Sequence, residues 1–156
     1  GVPVDGALAR DSALVDPRAV APDAEGGFYL LERSGHALRH VDKNGTIRTV
    51  AGTGQPGFAG DDGDARRAQL RGPKHLCIDS HGDVLIADTD NHVIRRFMRG
   101  TGKIVRVAGT GKKGSGGVGG APLMVELNEP HGVAVDGGGR IYIADSGNDR
   151  VLRIDP

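Results

Sequence analysis

The stretch Gly132-Val133-Ala134-Val135-Asp136, followed by Gly137-Gly138-Gly139 and Ile141-Tyr142-Ile143-Ala144-Asp145, decides the fold. Both runs combine β-branched, aromatic and small apolar residues, which is typical of short strands, and the glycines between them are typical of a tight turn. Ser146–Asp149 predicts a second turn, because Gly and Asn tolerate positive φ. Arg150–Asp155 follows as a third predicted strand. The sequence therefore predicts short antiparallel strands joined by tight turns.

The same phrase occurs three times in the chain at a nearly constant spacing. The members of each matched trio lie 56 and then 57 residues apart: Pro17, Pro73 and Pro130; Leu14, Leu70 and Leu127; Glu32, Asp88 and Asp145. The first two repeats add a fourth strand, Ile47–Ala51 and Ile104–Ala108, whose alternating polar residues indicate a half-exposed outer strand. A fixed period of this size predicts an array of units, none of which buries its apolar face alone.

Four short antiparallel strands per unit describe one blade of a β-propeller. We therefore predict an all-β chain of three blades, the third truncated, with repeats at about 1–56, 57–113 and 114–156 within one segment, 1–156. We expect Gly132–Asp136 and its equivalents to be the most buried strands, placed against the axis. The Gly-rich stretches 52–67 and 109–122 would carry the chain from the rim of one blade to the centre of the next.

Several phrases resemble the NHL repeat, which is named for an Asn-His-Leu signature. Ala87–Ile94 and Ala144–Val151 resemble the signature itself, and Pro130–Asp136 is similar to the family's opening phrase. Val50–Gly54 and Gly57–Asp61 resemble its long-spacer subtype. The first repeat departs from the pattern, because Glu32-Arg33-Ser34-Gly35-His36 stands where Asp-x-x-Asn-x is expected. The resemblance implies a closed propeller, usually of six blades.

Three blades are fewer than the roughly four to eight that closed propellers contain. The third repeat stops at Pro156, before its fourth strand, and the absence of an initiator Met is typical of an excised, processed or engineered segment. We expect a homodimer that closes a six-bladed ring around a twofold axis; the alternative is a fragment of a longer chain. The expected exposed flanks include the apolar residues Leu30, Leu38, Val41, Ile143, Val151 and Ile154.

Composition limits the classes of partner. The 20 Lys and Arg residues equal the 20 Asp and Glu residues, so no global field attracts nucleic acid or an anionic membrane. No apolar run approaches the roughly 18 residues that span a bilayer. The single cysteine, Cys77, lies between Leu76 and Ile78, which favours a buried and inert thiol. The sequence does not indicate the cellular compartment.

The polar residues after the opening prolines form the candidate ligand-binding site. Arg18, Lys74 and His131 occupy matched positions, and His75 follows Lys74. The resemblance implies a zinc-ligand role for His131, since NHL-like amidating lyases hold zinc through Pro-His phrases from several blades. Arg18 and Lys74 cannot ligate zinc at neutral pH. We therefore expect a polar channel mouth that binds a protein or small ligand, with no metal and no cofactor.

The carboxylates of the chain favour structural roles. Asp88 and Asp145 recur once per repeat before tight turns, and Asn91 and Asn148 follow them. We expect all four to hold these turns in the Asx manner. The aspartates of Gly60–Asp64 suggest a calcium-binding site, because carboxylates converge in this short loop. It lacks the spacing of an EF-hand loop, and the third repeat has glycines there, so a solvated turn is favoured.

These observations favour a non-enzymatic scaffold for protein or ligand interaction. One alternative is a metal-dependent enzyme of the lyase or lactonase type, which the resemblance allows. A second alternative is RNA binding through a basic face, since no acidic residue lies between Asp90 and Glu126. The basic residues of that stretch are Arg95, Arg96, Arg99, Lys103, Arg106, Lys112 and Lys113. Phe97 is its only aromatic residue and is expected in the core, so the stretch offers RNA no stacking platform.

Overall fold

The computed structural model describes residues 2–156 and contains three antiparallel sheets. The first sheet runs β1 (Pro17–Pro22), β2 (Phe28–Glu32), β3 (Ala37–Val41) and β4 (Ile47–Ala51). The second runs β5 (Gly63–Asp64), β9 (Lys103–Ala108), β8 (Val93–Met98), β7 (Val84–Asp88) and β6 (His75–Ile78). The third runs β10 (Gly132–Val135), β11 (Ile141–Asp145) and β12 (Arg150–Ile154). The prediction of an all-β chain of short antiparallel strands is confirmed.

Aspartates set the hairpin turns within the sheets. In the turn between β3 and β4, the Asp42 carboxylate accepts hydrogen bonds from the N–H groups of Asn44 and Thr46, at 2.9 and 3.0 Å. Asp23, Asp79 and Asp136 accept from the N–H groups two and four residues later in the same way. These contacts define Asx turns, which align each strand with the next.

The first strands of the three sheets, β1, β6 and β10, lie side by side and form the inner edge of the molecule. The expectation that they are the most buried strands is wrong. Every residue of β7 is buried, whereas β1 alternates between exposed and partly buried positions and β10 contains one fully buried residue, Val133. The burial comes from the neighbouring sheets, which cover the faces of the middle strands, while the inner edge stays open to solvent.

The Gly-rich linkers are more ordered than the sequence indicates. The linker before the second sheet forms β5, which pairs Gly63 with Ile104 and Asp64 with Lys103 of the outer strand β9. A 3-10 turn follows at Ala65–Arg67. The matching segment before the first sheet binds β4, because Gly6 N–H donates to the Ile47 carbonyl at 2.9 Å. Each linker therefore lies along the outer strand of the sheet that follows it.

Apolar cores lie mainly between sheets. One core joins the first and second sheets around Leu31, Leu38, Ile86 and Ile104, and another joins the second and third sheets. A third, smaller core contains Leu30, Val41 and Ile47, with Ala9 and Phe28 against it. The expectation that Leu30, Leu38, Val41 and Ile143 belong to exposed flanks is therefore wrong, and Ile143 lies in the core between the second and third sheets. Leu38 faces the second sheet, and the cluster around Leu30 and Val41 lies within the first repeat.

Candidate functional site

Arg18 lies in β1, and Lys74 and His131 lie directly before β6 and β10; we call these three residues of the inner edge the inner-edge cluster. Arg18 occupies an irregularity in β1, where the register shifts between Pro17 and Ala19. The backbone N–H groups of Lys74 and His131 donate to the carbonyls of Ala87 and Ala144, each at 3.1 Å. These contacts hold both residues immediately before β6 and β10. The three matched positions of the repeats therefore lie side by side along the inner edge.

Lys74 and His131 are in direct contact. The Lys74 ammonium lies 3.3 Å from His131 Nε2. Partial burial lowers the pKa of His131, and the charges of Lys74 and Arg18 lower it further. The imidazole is therefore neutral near pH 7 and accepts a hydrogen bond from Lys74. Neither Arg18 nor Lys74 forms an ion pair within residues 2–156, so both cations are available to an anionic group.

His75 has a different role from the cluster. Its ring nitrogen Nδ1 accepts a hydrogen bond from Val133 N–H at 3.3 Å, and this contact links β6 to β10. The side chain is thus used between two inner strands, although the residue is exposed as a whole. The sequence placed His75 with the ligand-binding residues. Its contacts in the structure are those of a link between two sheets.

Asp88 and Asn91 belong to a buried polar network rather than to an Asx turn. The Asp88 carboxylate accepts from Arg71 N–H at 2.8 Å, from the Asn91 amide at 2.9 Å and from the Arg95 guanidinium at 3.3 Å. Arg95 is fully buried and also donates to the carbonyls of Ala59 and Gln69. The donor to Asp88 thus lies 17 residues earlier, and the turn Thr89–Asn91 has no side-chain cap. The Asx interpretation of this aspartate is wrong.

The other repeats contain related networks. Asp145 accepts from Asn128 N–H, the Asn148 amide and the Arg150 guanidinium, each at 2.8 Å. In the first repeat, Glu32 accepts from Val15 N–H and from Arg39. Glu32 therefore replaces the aspartate in the repeat that departs from the NHL pattern. All three carboxylates connect the loop before a sheet to its second strand, so the Asx interpretation of Asp145 and Asn148 is also wrong.

Sequence reasoning missed a pair of histidines that connect successive repeats. His36 Nδ1 accepts from Gly72 N–H and His92 Nδ1 accepts from Glu129 N–H, each at 3.0 Å. Both histidines have positive φ, 49° and 56°. Partial burial lowers the pKa of both, which favours the neutral ring that the contact requires. Their spacing of 56 residues was the available signal.

Other candidate residues have structural partners. Asp61 contacts Arg95 at 2.9 Å, and Arg96 and Arg106 lie near Asp79 and Asp61. Burial raises the pKa of the Cys77 thiol to about 11, so the thiol is protonated at neutral pH. The described part of the chain, 2–156, contains no group of three His, Cys, Asp or Glu side chains placed to hold a metal ion. No helix within it is long and apolar enough to cross a membrane.

Two segments of the chain, 70–97 and 127–154, match the family described as NHL repeat. Over 97% of its length the chain is 30% identical to Protein SUPPRESSOR OF QUENCHING 1, chloroplastic, of Arabidopsis thaliana, of which it covers 15%. Over 92% of its length it is 27% identical to human NHL repeat-containing protein 3, of which it covers 37%. The chain thus spans less than two fifths of these relatives.

Solved structures contain the same architecture. The chain matches an auxiliary nutrient binding protein from Bacteroides ovatus with a TM-score of 0.67 and 25% sequence identity. The match covers 84% of this chain and 35% of that one.

Proposed function

The chain belongs to the NHL-repeat family of β-propellers, and from that premise we propose that it is a non-enzymatic interaction scaffold whose inner-edge cluster binds anionic groups of a protein or small ligand. The observation that carries the proposal is the convergence of Arg18, Lys74 and His131, one from each repeat. Within residues 2–156, Arg18 and Lys74 have no ion-pair partner, and with the neutral imidazole they provide several hydrogen-bond donors for a carboxylate or a phosphate.

The position of the inner-edge cluster favours a role in ligand binding over a role in the framework of the fold. The framework carboxylates Glu32, Asp88 and Asp145 repeat and are fully buried. Arg18, Lys74 and His131, in contrast, differ in side chain at matched positions and lie where solvent reaches them. In a repeat array, framework residues repeat because each unit is built alike, whereas binding residues differ because they face one ligand from different sides.

The experiment measures binding of fluorescein-labelled hexaglutamate by fluorescence anisotropy, with hexaserine as the uncharged control. Lys74→Ala and Arg18→Ala each remove charged hydrogen bonds, and we expect each to weaken hexaglutamate binding about tenfold or more. Lys43→Ala and Arg48→Ala remove the same charges at exposed positions away from the inner edge and should leave the affinity within twofold. Equal losses from both pairs of variants would mean that only general charge attraction operates, and would contradict the proposal.

Two further measurements on the same protein, of bound metal and of RNA binding, test the two alternative functions. Stoichiometric zinc or calcium in protein purified without chelator, lost on His131→Ala, would favour a metal-dependent enzyme. Single-stranded RNA binding that falls steeply with salt and depends on Lys103, Lys112 and Lys113 would favour the basic face. Several arginines of that face are already paired with carboxylates, and Arg95 is fully buried.

A further inference from the structure

The residue before each opening proline is a second set of matched positions at the inner edge. Asp16, Gly72 and Glu129 hold these positions, each two residues before a member of the inner-edge cluster. All three have positive φ, of 52°, 54° and 49°. The backbone therefore takes the same turn at the start of each opening phrase, although the side chain there is an acid in two repeats and absent in one.

In the second repeat a carboxylate reaches this position from another loop. A Cβ atom on Gly72 would lie 2.3 Å from Asp90 Oδ2, so the Asp90 side chain lies directly against this glycine. Asp90 N–H donates to the Arg71 carbonyl at 3.1 Å. The neighbouring Thr89 hydroxyl donates to the Pro130 carbonyl at 2.8 Å. Asp90 is therefore held between the opening phrases of the second and third repeats.

In the third repeat the acid is Glu129 itself. Its N–H donates to His92 Nδ1 at 3.0 Å, which fixes the backbone two residues before His131. Burial and the Lys74 charge lower the pKa of His131, whereas the negative charges of Glu129 and Asp90 act on it in the opposite direction. Both carboxylates thus lie close enough to the inner-edge cluster to affect its charge.

The first repeat differs because its acid is already neutralised. The Asp16 carboxylate accepts from Arg33 Nε and from the Ser34 hydroxyl, each at 2.8 Å. Ser34 holds the position that matches Asp90. Within residues 2–156, Asp90 and Glu129 form no ion pair and their carboxylates accept no hydrogen bond. The inner edge therefore has two unpaired acids beside its two unpaired cations.

We propose that the inner-edge cluster, together with Asp90 and Glu129, binds a polypeptide segment that carries acidic and basic side chains side by side. The inference rests on the proposed function, since Arg18 and Lys74 supply the anion-binding half of the site. Across residues 2–156, no ion pair joins these cations to the two acids. The two kinds of charge therefore stand apart, and a ligand that reaches both needs its own charges on separate side chains.

The two acids give the site its selectivity. A purely acidic segment that reaches Arg18 and Lys74 also meets Asp90 and Glu129 as like charges, which disfavours it. A purely basic segment meets the opposite conflict. A segment of mixed charge satisfies both halves, and its binding does not depend on the net charge of the chain, which is zero.

The test compares two fluorescein-labelled hexapeptides, Glu-Lys-Glu-Lys-Glu-Lys and hexaglutamate, by fluorescence anisotropy at one salt concentration. We expect the mixed peptide to bind several-fold more tightly, although hexaglutamate has the larger negative charge. Asp90→Asn with Glu129→Gln should weaken binding of the mixed peptide about fivefold and strengthen binding of hexaglutamate. Asp11→Asn with Asp62→Asn removes two exposed acids of the linkers and should leave both affinities within twofold.

The acid variant is expected to fold, because neither carboxylate accepts a described hydrogen bond and the Glu129 N–H is retained. If the two peptides change in the same direction, or not at all, on Asp90→Asn with Glu129→Gln, the proposal is overturned. Displacement of the mixed peptide by free glycine would assign the site to single amino acids and would also overturn it. Failure of the proposed function is a separate result, in which Lys74→Ala and Arg18→Ala leave hexaglutamate binding unchanged.

Discussion

The second and third sheets have closely similar sequences but very different surroundings. Ile94 in β8 and Val151 in β12 hold matched positions, and their exposed fractions are 0% and 70%. β7 is buried at all five positions, whereas β11 is buried at alternate positions. Burial in this chain therefore depends on the neighbours of a repeat more than on the repeat itself, as nearest-neighbour stability in repeat arrays requires.

The buried arginine of the second sheet gives the largest expected contrast. Arg95→Met removes the guanidinium that faces Asp88 and leaves a buried carboxylate, and we expect a loss of about 3–5 kcal/mol in the free energy of unfolding. Arg150→Met is the comparable change in the third sheet, because Arg150 donates to Asp145 although it lies 55 and not 57 residues after Arg95. The Arg150 side chain is 24% exposed, so water can partly replace it, and the expected loss is about 1 kcal/mol. Urea denaturation at one fixed protein concentration measures both; equal losses would contradict the contrast.

A second pair of substitutions tests apolar burial directly. Ile94→Ala should cost about 3 kcal/mol, because it opens a cavity in the core between the second and third sheets. Val151→Ala should change the free energy of unfolding by about 0.5 kcal/mol or less, because most of that side chain already contacts water. The same denaturation curves provide the measurement. A large effect at Val151 would reveal a cover over β12 in solution.

Closure of a ring requires a cover of this kind over β12. We propose that two chains associate through the exposed flank of the third sheet. Val151→Asp places a charge on this flank and should weaken self-association about tenfold. Val20→Asp, at another exposed valine, is the control and should not. Light scattering coupled to size exclusion reads the mass across protein concentrations. A single-chain mass for the unmodified protein from micromolar to millimolar concentration would rule out the dimer.

The smallest expected effect is a pH dependence of the contacts between repeats. The pKa values of His36 and His92 are lowered in the folded chain, so on acidification the unfolded chain binds protons first. Their contribution to stability is complete above about pH 6.5 and is lost as pH falls through the lower, folded pKa. We expect this loss to be small and to develop gradually on acidification. His36→Asn with His92→Asn retains residues that tolerate positive φ and should remove that part of the pH dependence; an unchanged profile would assign it to other groups.

The strands and the repeat could be predicted because they depend on local pattern. Ile141–Asp145 and Ile47–Ala51 were predicted with their observed bounds, since alternation and turn residues lie within the same segment. The partners of Asp88 could not be predicted. Its donor is 17 residues away, and the arginine that faces it was assigned from sequence to a basic surface. Periodicity identifies equivalent positions but does not show which neighbouring segment a side chain contacts.

Of the candidate site, the matched positions could be predicted from periodicity, whereas the contacts of the side chains could not. Matched positions identified Arg18, Lys74 and His131 as a set, and the structure brings them to one edge. The link made by His75 to Val133 depends on how far apart two inner strands lie, which sequence spacing does not determine. Likewise, the burial of Leu30 and Val41 depends on the smaller core beside Ile47, Ala9 and Phe28.

The hydrogen bonds that Asn91 and Arg95 donate also indicate where this chain can be cut or duplicated. Asn91 donates to the Gly57 carbonyl at 2.7 Å, and Arg95 donates to those of Ala59 and Gln69. A chain shortened to begin at Pro73 would lose all three acceptors and leave Asp88 as the one remaining partner, among those described, of the buried Arg95 guanidinium. One that begins near Thr53 would retain them. Circular permutants and consensus arrays of this repeat should therefore be joined ahead of the glycine-rich linker, so that each sheet is inherited together with the segment that precedes it.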